Sequence, residues 1–185
     1  MEGLILKYGS SSKIVRVAFI AALYTVLTII LAPISYGPVQ FRLSEVLVLF
    51  AFIDPMYIIG LTIGCLLSNI FGGVGLLDII FGTLATFLSV SAISITAKYI
   101  KSNMISLTVA SIWPTIFNSI IVGWVISTTS NLPLVLTMLQ VGIGEFVTAL
   151  LASDPRKLDH SNSKQVSILL LSAALFKLQE IVAVP

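Results

Sequence analysis

The chain has 185 residues, of which 57% are apolar and 10% are charged, and its formal net charge is +2. Soluble domains carry about 25% charged residues, so this composition, with a mean hydropathy of +1.09, excludes an ordinary soluble domain and indicates an integral membrane protein. A single cysteine excludes an intramolecular disulfide, and a single histidine leaves no histidine cluster for zinc or haem. We expect neither a metal nor another cofactor.

Six apolar segments follow one another along the chain, separated by polar residues or by glycine and proline. They are residues 17–32, 43–53, 55–71, 79–97, 104–128 and 132–152. Five of them approach the roughly 20 residues that one membrane crossing needs. The second has only eleven residues, so we expect a short or tilted helix that the others shield from lipid. The sequence therefore predicts an all-α integral membrane domain of six transmembrane helices over residues 1–152.

Residues 153–185 differ in kind from the segments before them, because they are polar around one apolar run, 166–176. That run is too short for another crossing. We expect a cytoplasmic tail and assign it no function.

The basic residues predict the orientation in the membrane, since short cytoplasmic loops collect lysine and arginine. An even number of crossings puts both termini on one side. If that side is the cytoplasm, nine of the ten basic residues are cytoplasmic and only Arg42 lies outside. We therefore expect a multi-pass protein of the cell membrane with both termini in the cytoplasm, and a role for Arg42 other than orientation.

Two polar side chains lie deep in the last two segments. Glu145 is thirteen residues from the start of its segment and Asn118 is ten residues from the end of the preceding one, or about 20 and 15 Å from the outer ends. They could hydrogen-bond each other and hold the helices together, or face a cavity and bind a polar solute. Asp78, which follows "GGVGLL", is expected to cap the next helix.

Arg42 directly precedes the short second segment, and Glu45 lies in its first turn. The two residues are three apart, so they can share one helix face. One interpretation is a partly exposed ion pair near the outer surface. Such a pair stabilises a protein by only about 0.2–1 kcal/mol, and its removal would leave melting almost unchanged. The other is that the turn "PISYGPVQF" folds as a lid over an outward-facing cavity, with Arg42 and Glu45 at its hinge or rim and Tyr36 and Phe41 as aromatic faces.

Small residues recur every four positions in two segments. The third segment carries Gly60, Gly64, Ser68 and Gly72, a stripe that indicates close helix contact, which we expect within the chain itself. Ala18 and Ala22 repeat the spacing in the first segment, where they could equally dock another membrane protein.

The stretches "APISYGPVQFRLSEVL", "GLTIGCLLSNIFGGVGLLDIIFGTLAT", "FNSIIVG" and "GEF" resemble the QueT family over residues 16–151. Its members are predicted substrate-binding (S) components of energy-coupling factor (ECF) transporters for queuosine precursors. The resemblance implies an S-component-like bundle of six helices with an outward pocket and no ATPase of its own. It also implies partners, namely one transmembrane T component and two ATPase subunits.

The resemblance further implies a ligand and residue roles. The ligand is a 7-deazaguanine such as preQ1, which carries an aminomethyl cation, or preQ0. Glu145 would accept a hydrogen bond from the N–H edge of the ligand or pair with its ammonium group. Asn118 would supply one hydrogen-bond donor and one acceptor. S components of this type meet the T component through an Ala-x-x-x-Ala pattern, to which Ala18 and Ala22 correspond. The loop after the first helix typically closes the pocket.

Other classes of function compete with this interpretation. One is an S component for another small vitamin-like solute, and another is a membrane scaffold subunit that transports nothing. An intramembrane enzyme is disfavoured, because the only histidine, His160, lies outside the six segments. We expect no nucleic-acid partner, and lipid around the helices.

Overall fold

A computed structural model describes residues 2–36, 42–100 and 103–152, with side chains described over residues 13–36, 42–100 and 105–149. The chain divides into two units, Met1–Ser153 and Asp154–Pro185. The second unit lies outside the described residues. The predicted division at residue 152 and the predicted cytoplasmic tail therefore stay predictions.

Helices, turns and short connections make up the described part of the chain, which contains no strand. The elements are α1 (Glu2–Ile30), α2 (Ala32–Ser35), a 3-10 helix (Leu43–Leu49) that continues into α3 (Phe50–Ile53), α4 (Tyr57–Gly72), a π-helical turn (Asp78–Gly82) that continues into α5 (Thr83–Tyr99), α6 (Asn103–Ser130) and α7 (Leu134–Ala152). The all-α prediction is confirmed, and each predicted segment coincides with one helix or one joined pair.

The helices differ in whether they are long enough to cross a membrane. Within the described residues, three are long and apolar enough, namely Lys13–Ile30, Asp78–Tyr99 and Ile105–Ser130. Three further apolar helices are shorter, namely Leu43–Ile53, Tyr57–Phe71 and Leu134–Ala149. The described residues thus contain six apolar helices, while six complete crossings remain a prediction.

The 3-10 helix lies at the centre of the bundle. It contacts α1, α4, α5, α6 and α7, and its Leu47 and Val48 side chains are fully buried. The unpaired backbone groups at the ends of a short helix are tolerated at membrane depth only where protein or a water-filled cavity surrounds them. The expectation that the other helices shield this short segment is confirmed.

Glycines bring α4 directly against α1. A Cβ atom at Gly60 would lie 2.6 Å from the Val17 carbonyl oxygen, and one at Gly64 would lie 2.8 Å from the Tyr24 Cβ. The Thr25 hydroxyl lies 3.1 Å from the Gly64 carbonyl oxygen. Close contact of this kind between helices depends on small residues. The glycine stripe therefore packs within the chain, as predicted.

Adding one methyl group at this contact should destabilise the protein. We expect Gly60→Ala and Gly64→Ala each to cost about 1–3 kcal/mol of stability, because backbone atoms must move. The matched control is Gly142→Ala in α7, where the nearest atom is the Ser119 hydroxyl at 3.2 Å and alanine gains about 1 kcal/mol of helix propensity. Melting in detergent measures all three variants, and equal effects would contradict the steric argument.

A second close contact joins α6 to α7. A Cβ atom at Gly123 would lie 2.8 Å from the Met138 Cα, and Val122 and Val141 pack together in one buried group. Because the helices approach closely and run in opposite directions, residues at equal depth face each other. This contact sets the relative height of Asn118 and Glu145.

Candidate functional site

Asn118 and Glu145 are joined by a buried hydrogen bond. The Asn118 Nδ2 atom donates to Glu145 Oε1 at 2.9 Å, and each side chain is only 2% exposed. The predicted match in depth is confirmed by this contact. Asn118 Oδ1 has no hydrogen-bond partner within the described residues, so holding two helices together does not use all of its bonding capacity.

Glu45 is held by α1. The Tyr24 hydroxyl donates to Glu45 Oε1 at 2.5 Å, and the Thr28 and Ser44 hydroxyls share a bond of 2.7 Å. Glu45 Oε2 has no hydrogen-bond partner in the part of the chain that the structure describes. The sequence did not single out Tyr24 or Thr28. They are polar side chains four residues apart in the mainly apolar second half of α1, which was the available signal for them.

Arg42 is buried, with 1% of its surface exposed. Its Cζ atom lies 5.6 Å from the centre of the Tyr36 ring, within the range of a cation–π interaction. Its Nε and Nη2 atoms have no hydrogen-bond partner among residues 2–36, 42–100 and 103–152.

The prediction of a partly exposed Arg42–Glu45 ion pair is therefore wrong. Glu45 is only 3% exposed and hydrogen-bonds Tyr24. The reason is that the 3-10 helix runs into the middle of the bundle, so its first turn is covered by α1 and α7.

Asp78 and Asn69 form a further buried pair. Asn69 Nδ2 donates to the Asp78 carbonyl oxygen at 3.1 Å, and the side chains are 0% and 7% exposed, respectively. Asn69 Oδ1 and Asp78 Oδ1 both lack a described hydrogen-bond partner. The expected capping role of Asp78 is wrong, since the helix already begins at Leu76 and no side-chain hydrogen bond caps the turn Asp78–Gly82. Asn69 was missed, and its position directly after Ser68 of the glycine stripe was the available signal.

These groups interact as one cluster. The Arg42 charge acts on the carboxyl groups of Glu45, Asp78 and Glu145, and charges interact more strongly in a dry interior than in water. We call the buried polar cluster the residues Tyr24, Arg42, Glu45, Asn69, Asp78, Asn118 and Glu145. One guanidinium thus faces three carboxyl groups in it.

A small cavity separates Glu45 from Glu145. Its lining consists of Glu45, Val48, Leu49, Ser111, Pro114, Glu145, Thr148 and Ala149. Its free volume of about 10 Å³ is close to that of a single water-sized group. The two glutamates, 100 residues apart in sequence, are therefore neighbours across this space.

Tyr36 is half-buried at the end of α2. Its hydroxyl donates to the Ser68 carbonyl oxygen at 2.6 Å, and its ring lies against Gly72, where a Cβ atom would be only 2.6 Å away. Phe41, the second predicted aromatic residue, lies outside the described residues. Tyr36 thus ties the end of α2 to α4.

Ala18 and Ala22 are both exposed on α1. They lie apart from the buried polar cluster, and the described helices do not cover them. Their position leaves room for a neighbouring membrane protein and for lipid alike.

Apolar helices that enclose a buried polar cluster define the class of helical membrane proteins with a polar interior, in which intramembrane charged groups mark functional sites. The chain belongs to the family described as QueT transporter, which matches residues 14–154. Membership of a transporter family agrees with the expectation that the chain is not an enzyme.

One curated relative is similar to part of the chain. The queuosine precursor transporter QueT of Lactococcus lactis subsp. cremoris (strain MG1363) is 46% identical over 88 residues, which cover 46% of this chain and 52% of that protein. The match thus spans about half the length of the curated relative. No solved structure matches the chain.

Proposed function

We propose that the chain is the membrane substrate-binding component of an ECF-type transporter for a queuosine precursor. The substrate would be a 7-deazaguanine such as preQ1 or preQ0, bound in a pocket open to the outside. Membership of the QueT transporter family and the name of the relative support transport of such a precursor. The observation that carries the proposal is the buried polar cluster with its unpaired atoms.

Those unpaired atoms complement the polar edge of a guanine-like base. Each buried polar group without a partner costs about 1–3 kcal/mol, so a ligand that bonds to it is favoured. Within the described residues, Arg42 has two unpaired donor nitrogens, which suit the ligand carbonyl. Asn69, Asp78 and Asn118 each have an acceptor oxygen without a partner in the same residues, which suits the ligand N–H groups.

The segment between Tyr36 and Arg42 is the proposed lid. Support comes from its two flanking residues: the Tyr36 hydroxyl is bound to α4, and the Arg42 guanidinium lies over the Tyr36 ring. A lid held at both ends can close over a ligand without a large movement of its anchors. Phe41 would then stack on the flat base, as aromatic rings do in nucleic-acid sites.

The proposed topology has both termini in the cytoplasm, which the distribution of basic residues supports. The proposed partners are a transmembrane T component and two ATPase subunits. The exposed pair Ala18 and Ala22 is the proposed docking face for the T component.

A scaffold subunit that binds no solute is the second candidate. The bonds from Asn118 to Glu145 and from Tyr24 to Glu45 favour it, since both join separate helices. A scaffold does not account for the Arg42 nitrogens that have no partner among the described residues. Equilibrium binding of a 7-deazaguanine to the purified protein separates the two candidates. The same titration with other vitamin-like solutes tests an S component of different specificity.

Glu145→Gln should weaken binding of the 7-deazaguanine by about 1.5–3 kcal/mol, the size of a charge-assisted hydrogen bond. Glutamine keeps the volume and can still accept from Asn118, but it loses the charge. The measurement is equilibrium titration of wild type and variant.

The control for this titration is Asp54→Asn, which removes a half-buried carboxylate outside the cluster, where Asp54 accepts from the Met56 N–H at 2.9 Å. Its affinity should equal that of wild type. If Glu145→Gln folds and binds with unchanged affinity, Glu145 only holds helices together. If the wild-type protein binds no 7-deazaguanine, the scaffold is favoured.

A further inference from the structure

The described residues that line the cavity between Glu45 and Glu145 present hydrogen-bond acceptors to it when both carboxyl groups are ionised. The Ser111 hydroxyl donates to the Thr108 carbonyl oxygen at 2.9 Å, and the Thr148 hydroxyl donates to the Gly144 carbonyl oxygen at 3.0 Å. Each hydroxyl has a single hydrogen, so its remaining lone pairs are left for the cavity. Pro114 lies inside α6 and has no N–H to give.

The two carboxyl groups are each held from outside the cavity. Tyr24 binds Glu45 Oε1 and Asn118 binds Glu145 Oε1, which fixes both side chains in place. Glu45 Oε2 is buried without a described hydrogen-bond partner, although its residue lines the cavity. The arrangement supplies acceptors on several sides of a space about the size of one small group.

Such a space is complementary to a positively charged group that donates hydrogen bonds and accepts none. A primary ammonium has three N–H donors and no acceptor, and hydrogen bonds between charged partners are about twice as strong as neutral ones. Water fits ionised carboxylates less well, because its own lone pairs would face acceptors. The free volume of about 10 Å³ admits a group of this size and no second one.

The charge balance of the cluster points the same way. Within the described residues it holds one guanidinium, that of Arg42, against the carboxyl groups of Glu45, Asp78 and Glu145. Buried charges need partners of opposite sign. Arg42 forms no hydrogen bond to Glu45 or Glu145. A second positive charge between these two residues would therefore balance negative charge that Arg42 does not neutralise by direct contact.

We propose that this cavity is the subsite for a primary ammonium group of the substrate. The protein would then select 7-aminomethyl-7-deazaguanine over uncharged 7-deazaguanines. The inference rests on the proposed function and adds a selectivity to it. In the proposed orientation, Ser111 and Thr148 lie further from the outer surface than Asn118 and Glu145, so the ammonium is the innermost part of the ligand and the base lies nearer to Arg42.

The test is a ligand series on the wild-type protein in detergent. The probes are 7-aminomethyl-7-deazaguanine, the 7-hydroxymethyl compound, which is nearly equal in size but neutral, and the 7-cyano compound. We expect the ammonium form to bind at least about tenfold more tightly than either neutral form, since one charge-assisted bond accounts for that ratio. This series requires no variant to fold.

Variants then locate the selectivity. Glu45→Gln should reduce the aminomethyl-to-hydroxymethyl affinity ratio towards one. Asp78→Asn is the matched change in the same cluster, at a residue that does not line the cavity, and should alter both affinities by the same factor. If the aminomethyl-to-hydroxymethyl affinity ratio falls equally in both variants, the selectivity comes from the net charge of the cluster, and the subsite proposal is wrong.

Two other outcomes overturn the inference in different ways. If wild type binds all three compounds equally, the subsite is wrong while the proposed function stands. If it binds none, the proposed function fails and the subsite with it. Binding of the hydroxymethyl compound that requires Na⁺ and is lost in choline would assign the cavity to a metal cation and also overturn the ammonium subsite.

Discussion

Replacing Arg42 with methionine is expected to destabilise the protein by about 3–5 kcal/mol, the cost of leaving buried charges without their partner. Arg42 is 1% exposed, and its charge acts on the carboxyl groups of Glu45, Asp78 and Glu145. Methionine keeps the apolar stem and removes the charge. Thermal and denaturant unfolding in detergent should show the loss directly.

Two variants make this result specific to the buried charge. In Arg42→Met/Glu45→Gln a carboxylate is removed as well, so part of the lost stability should return, and the double-mutant cycle measures the coupling. Arg16→Met removes a charge from an exposed position on α1 and should change stability by no more than about 0.5 kcal/mol. If Arg42→Met is as stable as the wild type, the stability of the cluster does not depend on the Arg42 guanidinium.

This expectation reverses one drawn from the sequence. A partly exposed pair of Arg42 and Glu45 would leave melting almost unchanged on removal, whereas burial makes Arg42 important for folding. The hydropathy pattern could not reveal this, because a charged residue at the start of a short apolar segment is ordinarily placed at the membrane surface. Its depth depends on five other helices enclosing the 3-10 helix, which is tertiary information.

Local pattern was sufficient for the helices themselves. The predicted short segment 43–53 coincides with the apolar helix Leu43–Ile53, because a run of apolar residues bounded by Arg42 and Asp54 can be read directly. The Asn118–Glu145 bond was also accessible. A fixed rise per residue gives depth, and helices joined by a short turn face each other.

Contacts between distant segments were not accessible. Tyr24 and Glu45 are 21 residues apart, and nothing in the sequence indicates which face of α1 meets the 3-10 helix. Asp78 had the local pattern of a cap, yet tertiary packing buries it beside Asn69. Both failures have one cause: local spacing determines which residues share a helix face, and long-range packing determines what that face meets.

The docking face on α1 can be tested separately from the ligand site. Ala18 and Ala22 are exposed and one turn apart, whereas Tyr24 and Thr28, which bond to the 3-10 helix segment, are buried on another face of the same helix. A change at the alanines should therefore leave the buried polar cluster intact.

Ala18→Leu and Ala22→Leu are each expected to abolish uptake of the queuosine precursor while leaving its equilibrium binding unchanged. A close helix contact tolerates only small residues, so the added side chain would keep the T component away. Co-purification with the T component and both ATPase subunits, measured beside ligand titration, separates docking from binding.

The matched control is Phe19→Leu, a change at the adjacent exposed position of α1, which should assemble normally because it adds no bulk. Complete assembly and uptake by both alanine variants would mean that this face meets lipid and that the T component docks elsewhere.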